Sequence, residues 1–172
     1  MNKEAFERIR RLLEEQRVEY KLLEHPPCRT SAESAAARAK AGAPEAIGAK
    51  ALLCKMEFAD RPTEFDVLVI PGPARVDARS LKSQLPTLKR FRFATPEEMS
   101  SLCGVLPGYM PPFAGNVFPT VTHLYVDASL RDFRYIGFNA ASLNHSIVIT
   151  CHDYIRVASP TAFLRFVMLD SA

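Results

Sequence analysis

Chemistry could be built from two features of this sequence: a lysine on an apolar strand face and an uncharged loop dense in glycine and proline. The lysine lies in "AKALLCKMEF". If residues 49 to 57 are extended, Lys50 shares a face with Leu52, Cys54 and Met56, while Lys55 shares the other with Leu53 and Glu57. An ammonium at the edge of an apolar face either snorkels to solvent or is a cation aimed into a pocket. The loop is "GVLPGYMPPFAG", residues 104 to 115, with three glycines, three prolines and no charge. Linkers are polar, whereas this segment carries Val105, Leu106, Tyr109, Met110 and Phe113. Glycine admits close backbone approach and proline fixes φ, so the loop is either a stiff pocket wall or an ordinary buried turn.

The remaining reactive groups give weaker patterns. Cys28, Cys54, Cys103 and Cys151 form no CxxC pair, and His25, His123, His145 and His152 form neither an HExxH motif nor a Cys/His cluster. No metal or other cofactor is expected. The run Cys151-His152-Asp153 reads as a structural or surface turn, because a catalytic Cys, His and Asp meet through the fold and not as consecutive side chains. A thiol hydrolase built on Cys54 or Cys151 stays open as an alternative. His145 and Ser146 begin a strand and face opposite ways, so only one of them can point into a given cleft. The absence of GxGxxG and GxxxxGK[ST] argues against a Rossmann or P-loop nucleotide site.

Local patterns predict the elements that must position these residues. Phe6, Ile9, Leu12 and Leu13 mark an amphipathic helix over 3 to 16, and "VEYKLLEH" alternates like a strand. Thr30 and Glu33 form a capping box before an alanine-rich helix that ends near residue 41. "AKALLCKMEF" and "TEFDVLVIPG" read as a hairpin across "ADRP". "DARSLKSQL" and "TPEEMSSL" are short helices, and "THLYVDASL", "RYIGFNAAS" and "HSIVITCHDYIRV" are strand-like. "SPTAFLRFVML" is expected to close the chain as a short helix. The pattern implies α+β: one domain over residues 1–172, with a mixed, largely antiparallel sheet flanked by helices.

Size and composition agree. With 172 residues, 48% hydrophobic and 24% charged, the chain can bury a respectable core, and it has no apolar run of membrane-spanning length. The charged N-terminus lacks the apolar core of a signal peptide, so the cytoplasm is the expected compartment. A net charge of +3 permits contact with a polyanion without requiring one.

The ordered blocks "EHPP", "TSAESAA", "GAKALL", "VIPG", "RFATPEEM", "GYMPPFAG", "VDASL" and "FNAASLNHSI" resemble the YbaK/prolyl-tRNA-synthetase-associated domain family over roughly residues 18 to 157. The resemblance implies a freestanding deacylase that hydrolyses the ester of mischarged tRNA. It suggests tRNA(Pro) carrying alanine or cysteine, with prolyl-tRNA synthetase as a potential partner. It places the essential lysine at Lys50 and the family's GxxxP loop at Gly108 through Pro112, whose amides would stabilise an oxyanion. Pro111 and Pro112 cannot donate, which leaves Gly108, Tyr109 and Met110. The implied catalytic set is Lys50, Gly108, Asn139 and Ser146; Thr30, Tyr109, Met110, Pro111, Pro112, Phe113, Ala141 and His145 would contact substrate. Ala141 departs from the glycine common in relatives, which puts pocket size in question and keeps a non-catalytic tRNA-binding module of the same fold as the alternative. Lys82, Lys89, Arg90 and Arg92 are either tRNA contacts or a solvated face.

Overall fold

The longest described strand organises the rest. The computed structural model describes residues 1–169. Ahead of that strand come helix α1 (Lys3–Glu15), strand β1 (Lys21–Glu24) and helix α2 (Ser31–Lys40). Strand β2 (Ile47–Phe58) then turns into β3 (Glu64–Pro71), and the two pair antiparallel from Ala49↔Pro71 to Met56↔Glu64, as the hairpin pattern predicts. β4 (Ala74–Val76), α3 (Ala78–Gln84), β5 (Leu88–Phe93) and α4 (Pro96–Cys103) follow. After the long loop come β6 (Leu124–Asp127), a 3-10 turn (Ala128–Asp132), β7 (Tyr135–Asn139), β8 (His145–Thr150), α5 (Cys151–Ala158), β9 (Ala162–Leu164) and β10 (Val167–Leu169).

The strand order β1-β8-β7-β2-β3-β6-β9 contains both antiparallel and parallel neighbours, with β5 also on β2. The free edge of β2 is shared unequally. β7 runs parallel to it for only two pairs, Ile47↔Ile136 and Gly48↔Gly137, and β5 joins it antiparallel from Cys54 onward. Between them the sheet parts, and the stretch around Ala49 to Ala51 has no partner strand on that edge.

Both faces of β2 are covered, so strand parity assigns its side chains to two cores. Ala49 and Leu53 join the larger core with Phe6, Ile9 and Leu13 of α1 and with the 104–118 segment. Cys54 and Met56 join the smaller one with Leu68, Ile70, Leu81 and Phe166. Lys50 belongs to the face of the smaller core.

Three differences from the sequence expectation have local causes. Residues 151–158 form α5 and not a continuing strand, because the Thr150 hydroxyl accepts the Asp153 amide at 3.0 Å and caps a helix there. Residues 159–169 form β9 and β10 instead of a closing helix, since Ser159 takes a left-handed conformation (φ 48°) and the segment pairs with β6 and β4. Strand β5, unread in "LKRFRF", is held by its ladder to β2.

Candidate functional site

Where β2 and β7 splay apart, a cleft of about 140 Å³ opens. α2 and the two residues before it supply Arg29, Thr30, Ser31, Ser34 and Arg38 on one side; β2 supplies Gly48 to Ala51; β7 supplies Gly137, Phe138 and Asn139; the Gly/Pro loop supplies Gly108 and Met110. Among the described residues no carboxylate, imidazole or thiol lines it, while Arg29, Arg38 and Lys50 do. The described lining is therefore rich in cations and offers no carboxylate or imidazole as a general base.

The loop's composition follows from where it must pass. Gly108 has φ of 101°, and a Cβ there would lie 3.1 Å from the Arg29 carbonyl oxygen, so the chain can pass this close to the start of α2 only as glycine. Behind it the loop is anchored: Tyr154 Oη donates to the Pro112 carbonyl at 2.8 Å, and the Phe113 ring meets Phe138 edge-on at 5.5 Å. Asn139 Nδ2 donates to the Gly108 carbonyl from the other wall. The Tyr109 amide donates to the Leu106 carbonyl at 3.4 Å, whereas the Gly108 and Met110 amides donate to no described residue. Two main-chain donors of the loop, not three, are thus without a described acceptor.

The Lys50 ammonium donates to the Ala74 carbonyl at 2.9 Å while lining the cleft. Asn139 Oδ1 is buried without a partner, an acceptor left open at the cleft wall. Thr30 lines the cleft as the cap of α2: its hydroxyl accepts the Glu33 amide at 3.1 Å, and Glu33 accepts the Arg29 and Thr30 amides in return.

Several expected residues lie behind this surface. Tyr109 and Phe113 are buried in the larger core, and Pro111 and Pro112 are buried beside them; none lines the cleft. Ser146 stands opposite Asn139 across the β7–β8 pair, fully buried, with its hydroxyl 2.8 Å from His25 Nε2. His145 turns away to Ser142 at 3.0 Å and packs on Phe6. Ala141 occupies the β7–β8 turn with φ of 55°, its carbonyl accepting the Asn2 amide at 2.9 Å. Its methyl group therefore bears on the turn and not on cleft volume. Arg90 and Arg92 pair with Glu57 and Glu98 at 2.7 and 2.8 Å on exposed β5, away from the cleft.

The thiol alternative loses its basis. Cys54 and Cys151 are buried, neither lines the cleft, and burial pushes both thiols above their ordinary range, which suppresses the thiolate a nucleophile needs.

Arg38 was not anticipated. In an alanine-rich helix a lone arginine reads as solvated, yet this one is 2% exposed and lies across the paired strand glycines Gly48 and Gly137. A Cβ on Gly48 would come within 2.9 Å of Arg38 Nη2. The available signal was a glycine in each of two strand-like runs, which marks close approach of another group to the backbone.

Residues 25–157, which contain every segment lining the cleft, match the family described as the aminoacyl-tRNA editing domain. The Escherichia coli (strain K12) protein named multifunctional Ser/Thr-tRNA deacylase ProXp-y is 32% identical over 114 residues, covering 66% of this chain and 65% of that relative. The matched stretch is thus just short of two thirds of the relative's length. Among solved structures, the hypothetical protein APE2540 superposes with a TM-score of 0.75 at 21% identity, covering 94% of this chain and 99% of the other. A candidate trans-editing enzyme for prolyl tRNA synthetase gives 0.71 at 20% identity, covering 94% and 96%. Those two likenesses carry the fold. On the span of the family match, the chain belongs to the aminoacyl-tRNA editing domain family.

Proposed function

We propose that this chain hydrolyses the ester bond of mischarged aminoacyl-tRNA, with residues 1–172 forming one editing domain. One observation supports the reaction above others: a cleft rich in basic side chains with two loop amides, Gly108 and Met110, that have no described acceptor, and no carboxylate, imidazole or thiol among its described lining residues. Ester hydrolysis by water requires a place for the negative charge of the tetrahedral intermediate, and fixed amides in a confined site provide it. The Lys50 ammonium positions the carbonyl or the terminal adenosine, and Asn139 Oδ1 accepts the substrate's α-ammonium. Water is oriented by the neighbouring ribose hydroxyl, since the described cleft lining offers no carboxylate or imidazole to do so. Tyr109, Pro111, Pro112 and Phe113 act from behind by holding the loop, Ser146 holds β8 to the His25 segment, and Ala141 and His145 set the turn between β7 and β8.

The small cleft suits a small amino acid. We extend the reading to tRNA(Pro) carrying alanine or cysteine, with prolyl-tRNA synthetase as the source of the error, as the family resemblance suggests. The name of the Escherichia coli relative adds serine and threonine to the set to be tested. A second pocket of this kind is needed because a hydrophobic synthetase site separates amino acids differing by one methylene by only about 1–3 kcal/mol.

The test is release of amino acid from tRNA charged with alanine, cysteine, serine, threonine or proline, by wild type and Lys50→Ala. Selective release that is lost in the variant is the expected result. Binding of the charged tRNA with no release from any member would replace the enzyme with a binding module.

A further inference from the structure

We propose that Arg38 is an anion seat at the floor of the cleft, and that it holds a phosphate of the substrate's terminal nucleotide. The inference rests on the tRNA reading for the identity of the ligand, but its geometry does not depend on turnover.

Arg38 is 2% exposed, and its Nε is buried with no hydrogen-bond partner. No described carboxylate forms an ion pair with it, and burial lowers its pKa from the ordinary value. A guanidinium cannot escape this situation by losing its proton at physiological pH, and an unpaired buried ion is expensive to hold. The fold nevertheless makes room for it on two strands at once: a Cβ at Gly137 would come within 3.2 Å of Arg38 Cζ, and one at Gly48 within 2.9 Å of Nη2. Such a slot is hard to explain as packing, because an apolar side chain of similar length would fill it without the cost of the charge.

The surroundings specify the ligand's charge and shape. Gly48 and Lys50 are two apart on β2, so the Arg38 guanidinium and the Lys50 side chain lie over the same face of the sheet and line the same cleft. Arg29 also borders it, as does the start of the ten-residue helix α2, where the Glu33 carboxylate already takes the Arg29 and Thr30 amides, and no acid is among the described lining residues. The ester group of the substrate is neutral before attack, and the developing oxyanion has the loop amides. The nearest stable anion on an aminoacylated 3′ end is a phosphodiester, whose paired oxygens match the planar fork of arginine.

The experiment compares binding of adenosine 5′-monophosphate and adenosine to the full chain, together with thermal unfolding in inorganic phosphate against chloride at equal ionic strength. Wild type is expected to prefer the monophosphate by about tenfold or more, and phosphate is expected to raise its Tm. Arg38→Met is expected to bring the preference to within about twofold and to abolish the phosphate-induced rise, without lowering the Tm in chloride, because the charge it removes has no partner. A purely structural arginine would show the reverse: a lower Tm and an unchanged preference. Equal binding of the nucleotide and the nucleoside by wild type, or a preference that survives in Arg38→Met, overturns the proposal. Should Arg38→Met not fold, Arg38→Lys keeps the charge and loses the fork, and an undiminished monophosphate preference there overturns it as well. Neither binding nor melting needs hydrolysis. A chain that releases no amino acid yet prefers the monophosphate loses the deacylase reading and keeps the seat, and a chain that hydrolyses the ester with no such preference does the opposite.

Discussion

Arg38 and Asp66 are both nearly sealed from solvent, and the protein treats them in opposite ways. Asp66, on β3, is fully buried; its Oδ1 accepts the His123 amide at 2.9 Å and lies 3.3 Å from His123 Nδ1. The same Nδ1 is 2.9 Å from Glu64 Oε1, and Glu64 in turn pairs with Arg61 at 3.2 Å. Burial first, and then the Glu64 charge, push the Asp66 carboxyl up to about 7. A carboxyl in that position can take up a proton and relieve itself. Arg38 faces a cleft with no acid among its described lining residues, and a guanidinium has no such recourse. The contrast separates two meanings of a buried charge: one is balanced inside the fold by partners and protonation, the other can be balanced only by something that arrives from outside.

The largest expected effect lies on the cleft side. Lys50→Ala should lower ester hydrolysis by roughly 10²–10³-fold, the scale of losing a group that stabilises the transition state, while circular dichroism and Tm stay near wild type. A rate within about threefold of wild type would take Lys50 out of the chemistry and leave the cleft's cationic role to Arg29 and Arg38.

Next comes the slot. Gly137→Ala places a Cβ that would meet Arg38 Cδ at the distance of a severe clash, and should cost about 1–3 kcal/mol in denaturant unfolding. Adding Arg38→Ala should recover most of that loss, because the two groups compete for one space. Strictly additive losses would show that the glycine is required for some other reason.

The triad supplies the third. The folded-state pKa of Asp66 is raised, so its protonated form favours the native state; that stability is present below about pH 4 and is lost as pH rises toward 7. Asp66→Asn cannot titrate there, so the variant should gain on wild type steadily from about pH 4 to pH 8 in thermal melts. A constant difference across that range would mean that His123 and Glu64 compensate the charge completely.

The smallest effect is expected from an exposed, paired cation. Arg90→Gln removes the surface pair with Glu57 and should change stability by less than about 0.5 kcal/mol. Hydrolysis of charged tRNA should also be unaltered. A marked drop in tRNA affinity would extend the polyanion footprint from the cleft to β5.

Much of this architecture is written locally. The Thr30–Glu33 and Thr95–Glu98 capping boxes form as their spacing predicts, and the parity of β2 alone puts Lys50 on the opposite face from Leu53. What escapes local reading depends on distant partners. The three-residue strands β9 and β10 exist because β6 and β4 pair with them, and nothing in "AFLRFVML" distinguishes that outcome from a helix. The end of β8 was legible in principle, since Thr150 and Asp153 have the spacing of a cap, but the β-branched run ahead of them concealed it. Arg38 is the extreme case. Its role depends on Gly48 and Gly137, ten and 99 positions away, lying side by side.

The donors left open in the cleft belong to the main chain at Gly108 and Met110, and this gives the machinery an unusual tolerance to sequence drift. Every residue except proline brings the same amide, so substitution at position 110 can change the shape offered to the amino acid without deleting the donor. On the proposed reading, lineages built on this loop could exchange one rejected amino acid for another by side-chain replacement alone, with the oxyanion donors inherited intact.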